Sequence, residues 1–415
     1  RLVQIMLNRV ESNKGVYLKV LEVAFKKTRD LINKLTEFVP YTKLSPLVEH
    51  VFTRYTKSPE YIDLEIASME EFYSGKLSEQ RMKLEQERDA ANTSFFETLT
   101  QGAVDVGPRL TLDTSLDYIQ RGLEGFKRCA LLSCPEDRAQ NMRKLFQTLI
   151  LEFGDKYMVV ALTGVIKRVS EGRRYVSTKE LFECSKLVNL NIINLQKLFF
   201  TNIRPHLEQD RLSDFVEEEQ VCISEKDRLL FDLEEKISIG LVKGLTAIIA
   251  WVERLLSKEQ KWNDFKPKME DFNPEFPTSA CTKVVEYITD QYLIVIDSLD
   301  GKNMDIFFRE LGDRLITAIL KHIKKYNVAF GLGGMVLMLD LKNYEKLVAK
   351  LGIEEMTTKA QIFVAIGKLH TVSPEQLSVV ISEFSELAGM PKDELESYVS
   401  KRSDYSKNTW AGKYI

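Results

Sequence analysis

The chain reads as all-α, an elongated rod of consecutive antiparallel helix bundles. Apolar residues recur at steps of three and four over unusually long stretches, the signature of one helix face packed against a partner. Breakers are scarce, with 11 Pro and 20 Gly in 415 residues. No stretch alternates apolar and polar residues as a half-buried strand would, and no repeat of fixed period is present.

The elements follow in chain order. From Arg1 to about Val39 two helical patterns are broken near Asn13-Lys14-Gly15, the second using Val20, Val23, Ala24, Leu31, Ile32 and Leu35. Pro40 and Pro46 bracket a turn, and Leu47 to Tyr55 and Pro59 to Tyr73 read as further helices. Pro59 suits a first helical position, with Ser58 before it as N-cap. From Lys76 to Asn92 charge and Gln dominate, as on a solvated helix face or a mobile linker. Gly102 to Pro108 is loop-like, so residues 1–110 are expected to form a first bundle. In a second, 111–222, Tyr118 to Leu132 and Asn141 to Ile166 are helical and separated by Ser133-Cys134-Pro135. Ser177-Thr178-Lys179-Glu180 is a capping box that starts a helix running to Phe200, and Asn202 to Gln220 continues polar and helical.

The third bundle, 223–345, holds the longest helices. Ser224 to Ser257 carries Leu230, Leu233, Ile237, Leu241, Leu245, Ile248, Val252 and Leu255 on one stripe, and a helix of that length extends about 50 Å. Ser279 to Ser298 repeats the pattern with Val284, Ile288, Tyr292 and Val295. A third helix begins near Asn303, with Phe307, Leu311, Leu315, Ile319 and Ile323 at every fourth position. Short connections between long helices imply antiparallel neighbours. Residues 346–415 are expected to form a fourth bundle of shorter helices, punctuated at Gly352, Ser373-Pro374 and Met390-Pro391.

Composition narrows the function. A net charge of −3 is near neutral for this length and argues against a dedicated nucleic-acid binder. The five cysteines include no C-x-x-C pair, as in a reduced intracellular chain. The longest charge-free apolar run, Val328 to Leu339, is too short to span a bilayer. The chain opens at Arg1 inside an apolar-periodic run, Leu2, Ile5, Met6 and Val10, the start expected of a fragment.

Catalytic patterns are missing. His50, His206, His322 and His370 fall in no metal-ligand spacing, and no G-x-S-x-G nucleophile elbow occurs. Gly331-Leu332-Gly333-Gly334 lacks the Lys-Ser or Lys-Thr of a phosphate loop and reads as a helix C-cap and tight turn. Gly240 and Gly244 read as a place where another helix approaches closely. The carboxylates Glu217, Glu218 and Glu219 sit in a polar helix with no apolar pocket to perturb them. No enzyme, cofactor or metal site is expected. Basic clusters occur at Lys167, Arg168, Arg173 and Arg174, at Lys321 to Lys325, and at Lys401-Arg402. The first flanks the turn Ser170-Glu171-Gly172 and is the candidate surface for anionic lipid or a partner, at about 1 kcal/mol per basic residue.

A family resemblance sharpens this. Glu234-Glu235-Lys236-Ile237 is followed by Ser257-Lys258-Glu259-Gln260-Lys261 and Asp264-Phe265-Lys266-Pro267. Then come Asp300-Gly301-Lys302-Asn303, Glu310-Leu311-Gly312 with Arg314, His322, Tyr326, Gly333-Gly334-Met335, Asp340 and Tyr344. Upstream stand Phe126-Lys127-Arg128-Cys129, Asn141 and Phe146, and near the end Arg402, Asp404 and Tyr405. In order and spacing this resembles the Sec-ten family of exocyst subunits, over about residues 116–345 and again at the tail. The resemblance implies stacked helix bundles and a non-enzymatic role, holding secretory vesicles at the plasma membrane before SNARE-driven fusion. It implies sister subunits as partners, Sec-fifteen above all, and a vesicle-bound small GTPase reached through sisters. It also implies a cytoplasmic protein recruited to sites of exocytosis. The family's N-terminal coiled coil is not visible in the sequence. Two alternatives stand beside it: a recyclin-type F-box protein of endosomal recycling with a Sec-ten-like region, and a peripheral anionic-lipid-binding module.

Overall fold

The computed structural model describes residues 13–36, 38, 51–53, 55–56, 59–91, 107–170, 178–208, 215–270, 273, 275–299 and 301–406. Among these the only strand-like pairing is an isolated bridge between Val328 and Arg402; the rest is helix and connection. The fold is all-α. Two compact units divide the chain, one of residues 1–167 and 184–239, the other of 168–183 and 240–415.

The first unit opens with α1 (Lys14–Leu35) and α2 (Glu60–Ala91). Asn13, read as a break, is the N-cap of α1 and accepts a hydrogen bond from Val16 N at 3.0 Å. The charged stretch from Lys76 belongs to α2 as a solvated continuation of one 32-residue helix. The expected cap at Ser58 lies outside the described residues, as do the turn prolines Pro40 and Pro46. Leu132 ends α3 (Leu112–Leu132), and Pro135 takes the first turn of α4 (Pro135–Leu149), where its missing N–H costs nothing. A π-helical segment, Ile150–Val159, links α4 to α5 (Val160–Ser170). Then come α6 (Thr178–Leu198), a π turn Phe199–Ile203 and α7 (Arg204–Glu208).

Two polar devices tie this unit together. The rings of Tyr73, Tyr118 and Tyr157 stack at centroid distances of 4.4 and 5.1 Å. Tyr73 and Tyr118 each donate their hydroxyl to the other's carbonyl at 3.0 Å, and Tyr157 donates to Arg109 O at 3.0 Å. No buried phenol among the three is left unpaired, as burial demands. The Arg128 guanidinium meets the Glu65 carboxylate through Nε at 3.2 and 3.1 Å, joining α3 to α2 in the core. On the π segment, Gly154 leaves room for Leu229, which a Cβ would meet at 2.4 Å.

The 45-residue α8 (Phe215–Glu259) contributes its residues up to Ile239 to the first unit and those from Gly240 to the second. It starts nine residues before the expected Ser224, because nothing between Gln220 and Ser224 breaks a helix. In the second unit α9 (Ser279–Ser298) has the expected bounds, and α10 spans Gly301–Ile323. After them come α11 (Leu332–Lys350), α12 (Glu354–Lys359), α13 (Gln361–Thr371), α14 (Leu377–Glu383), α15 (Ser385–Ala388) and α16 (Lys392–Val399). The predicted stripes form the core. Leu245, Ile248 and Val252 of α8, Val284, Ile288 and Val295 of α9, and Phe307, Leu311, Leu315, Ile319 and Ile323 of α10 are all buried in one cluster. Leu241, Leu255 and Tyr292 are half-buried at its margin. The core is completed by α11 and α13, which pack closely on each other. Gly244 of the G-x-x-x-G pair admits Leu181, whose Cδ2 a Cβ would meet at 3.0 Å.

Candidate functional site: helix-end junction and basic surface

Of the basic cluster singled out from sequence, Lys167 and Arg168 lie near the C-terminus of α5, where cations are favoured. Lys167 is exposed. Arg168 is half-buried and ion-paired with Glu180 at 2.7 Å. Arg173, Arg174 and the capping Ser177 lie outside the described residues, while Thr178 starts α6 as expected. The other basic clusters are partly engaged. Lys324 pairs with Glu394 at 3.0 Å and lies over the Tyr398 ring. Arg402, taken from sequence as a surface cation, is buried.

Of the residues that carried the family resemblance, Phe126 to Cys129, Asn141, Phe146 and Glu234 to Ile237 belong to the first unit, while Asp264, Phe265, Gly333, Gly334, Asp340 and Arg402 lie in the second, at helix ends. Asp264 accepts from Gln260 Nε2 and from Lys261 N, both at 2.8 Å, and folds the chain into a tight turn at the end of α8. That turn buries the Phe265 ring and offers its carbonyl to Ala329 N at 2.9 Å. The glycines that follow correct the sequence reading. Gly331, at φ 86°, is the N-cap of α11, not a C-cap. α10 has already ended at Ile323, and the intervening residues form the Val328 bridge. Gly333 and Gly334 serve close approach: a Cβ would sit 2.1 Å from Phe265 O at the first and 2.2 Å from His370 O at the second. Signature Gly312 likewise admits Met356, whose Cγ a Cβ would meet at 2.9 Å.

Two signature residues hold this junction through hydrogen bonds to helix ends. Asp340 of α11 accepts from Thr278 N at 2.8 Å and Thr278 Oγ1 at 2.6 Å, at the N-cap of α9. Burial pushes its carboxyl up to about 7, against the hydrogen bonds from Thr278, which favour the charged form. Arg402 donates to the carbonyls of Leu369 and Val372, the latter at 2.8 Å, at the C-terminus of α13. It pairs with Asp404 at 2.8 Å and lies over the Phe330 ring. The backbone of Ser403 completes the clasp by donating to Val328 O at 2.9 Å.

These groups close helix ends. His322 and His370 are buried, and desolvation pulls their imidazoles down to about 4 and about 3. Glu218 and Glu219 are ion-paired with Arg143 and Arg204. Among the described residues no group of three or more His, Cys, Asp or Glu is placed to hold a metal ion. No described helix is long and apolar enough to cross a membrane. Sequence reasoning saw Arg402 and Asp340 as signature positions and missed what they do. Their partners lie 30 and 62 residues away, so no local signal marks them.

The family model described as "Exocyst complex component Sec10-like, alpha-helical bundle" matches residues 1–107 and 104–413. The chain is 27% identical over 424 residues to exocyst complex component 5 of Mus musculus, covering 95% of the chain and 57% of that protein. It is 24% identical over 419 residues to the component of the same name from Dictyostelium discoideum, covering 98% and 40%. With exocyst complex component SEC10a of Arabidopsis thaliana it shares 25% over 436 residues, covering 96% and 50%. The chain thus spans about half the length of the curated relatives it matches. Among solved structures, the C-terminal domain of the exocyst subunit Sec6p aligns over 87% of each chain at 13% identity and a TM-score of 0.44.

Proposed function

Because the chain belongs to the Sec10-like α-helical-bundle family of exocyst complex components, we propose that it is a non-enzymatic subunit of a vesicle tether. In this reading it holds secretory vesicles at the plasma membrane before SNARE-driven fusion, in the cytoplasm and at sites of exocytosis. The observation that carries the proposal is the family match, which runs from residue 1 to residue 413. The packing supports it. Asp264, Asp340 and Arg402 are occupied in bracing helix ends, which suits a scaffold whose outer helix faces meet sister subunits. Sec-fifteen is the proposed close partner, with a vesicle-bound small GTPase reached through sisters. The four segments 1–110, 111–222, 223–345 and 346–415 are proposed as successive bundles of that scaffold. Lys167, Arg168, Arg173 and Arg174 are proposed as a contact surface for an anionic partner.

Affinity purification of the full-length protein from its own cells, with mass spectrometry of what co-purifies, tests this reading. A set of large helix-rich tether subunits is the expected result. Recovery of a Skp-type adaptor in their place would favour the recyclin-type alternative.

A further inference from the structure

The connection from α8 to α9 carries the two most exposed large apolar side chains described in the second unit, Trp262 at 76% and Met269 at 81%. Their base is well held. Asp264 closes the turn through Gln260 and Lys261 N, Phe265 is buried beneath it, and the Phe265 carbonyl is tied to Ala329 N. An apolar pair on a pinned turn is projected into water by the fold itself.

From Lys261 to Met269 the exposed charges are all lysine, the one acid between them, Asp264, being half-buried. Lys261, Lys266 and Lys268 are exposed, and among the described residues none of the three makes an ion pair. Lys325 is exposed beside Tyr326, whose hydroxyl reaches Gln260 O at 3.5 Å. The acids in the same stretch face other groups, Glu259 meeting Lys283 at 2.7 Å and Asp264 turned inward to its own turn. The exposed Glu270 and Glu275 follow only after Met269.

We propose that this turn is a membrane-contact site, in which Trp262 and Met269 enter the headgroup region of an anionic bilayer and Lys261, Lys266, Lys268 and Lys325 meet its phosphates. Tryptophan's amphipathic ring favours that depth, and lysine stems lie along apolar surface while their ammonium groups stay in the wet layer. A protein partner fits less well. Interface centres are depleted of lysine and need a contiguous packed apolar patch, whereas here the exposed Trp262, Met269 and Phe276 stand seven positions apart along the chain, with lysines between the first two. The inference goes beyond the tether reading and does not depend on it.

The test uses the whole 415-residue chain with Trp251→Phe and Trp410→Phe, which leaves Trp262 as the sole indole. Vesicles of phosphatidylcholine alone are compared with vesicles in which about a third is phosphatidylserine. The expected result is a blue shift of Trp262 emission with the anionic vesicles only, abolished at high salt. In flotation of the otherwise unmodified chain, K261Q/K266Q/K268Q should weaken binding about 100-fold, at the energy each basic residue gains near an anionic surface. W262A should weaken it about tenfold through lost apolar burial. Equal flotation of parent and variants, with no blue shift, would overturn the proposal. So would vesicle binding that is nil while W262A loses a co-purifying protein, which would assign the turn to that protein. Loss of the tether reading would show only in the co-purification experiment, so the two failures are distinguishable.

Discussion

At the scale of single residues, the second unit depends on a few side chains that close helix ends. Arg402 is buried and serves two carbonyls, a carboxylate and an aromatic face together. Removing one member of such a set leaves the others desolvated and unpaired, at about 3–5 kcal/mol. Arg402→Met should therefore lower the melting temperature of the second unit by many degrees, followed by circular dichroism; an unchanged melt would remove Arg402 from this role. The glycines make a sharper contrast. Gly333→Ala pushes a methyl into the Phe265 carbonyl and should cost about 1–3 kcal/mol or more by overpacking. Gly75→Ala, within α2 with nothing inside 4 Å of the new Cβ, should stabilise by about 0.5–1 kcal/mol by restricting the unfolded chain and raising helix propensity. Urea melts of the two variants against the parent should move in opposite directions.

At the scale of elements, α8 is a helix whose stripe is graded. Leu245 and Ile248 are buried, while Leu241 is half-buried at the edge of the same cluster. Burying an unpaired carboxylate is costly in proportion to its desolvation. Leu245→Asp should unfold the second unit or bring its melt down steeply, and Leu241→Asp should do less, because its carboxylate can reach water. Equal losses of helical signal in the two variants would mean that the stripe faces the core at a different angle. The bounds of α9 were legible because Thr278 and Leu299 flank a clean apolar period. The start of α8 was not, because a polar helical turn and a polar connection look alike when no glycine or proline marks the join.

At the scale of the whole molecule, stability should depend on pH through groups hidden in the second unit. His322 and His370 titrate near 6.5 in an unfolded chain but only at about 4 and about 3 when buried. The unfolded chain then takes up those protons first. Their contribution to stability is complete above about pH 6.5 and is lost as pH falls, by about 1.4 kcal/mol per pH unit for a fully buried imidazole. Asp340 acts oppositely. Its carboxyl, raised to about 7, is protonated in the folded state before the unfolded one, so its contribution grows as pH falls. With two imidazoles against one carboxyl, the melting temperature should drop between about pH 6.5 and 5, and more steeply in Asp340→Asn. A flat profile in both proteins would show that the imidazoles are solvated. Thiol chemistry offers a second global check. Cys129, Cys184, Cys222 and Cys281 are buried and Cys134 is half-buried, and burial pushes the Cys129 and Cys222 thiols up to about 12. One cysteine should react readily with an aromatic disulfide reagent in the native protein and all five in denaturant, with reductant leaving the melt unchanged.

Local pattern in the chain is enough for the helical class, the buried stripes of α8, α9 and α10, and the break at Ser133-Cys134-Pro135, because periodicity, caps and prolines act within a few residues of chain. The glycines from Gly331 mark a change of direction, but only Gly331 has the left-handed backbone that calls for one, while Gly333 and Gly334 lie in the first turn of α11. What those two helical glycines are for depends on distant contacts. Gly333 and Gly334 are glycines because the carbonyls of Phe265 and His370 press on them. Asp340 is acidic because it accepts from the N–H and hydroxyl of Thr278, the N-cap of a helix 62 residues back. Arg402, which sequence reads as one more surface cation, is a buried clamp because the C-terminus of α13 ends beside it. Charge and small size are visible in a sequence, but whether a charge is solvated or paired depends on which distant helix end the fold brings to it.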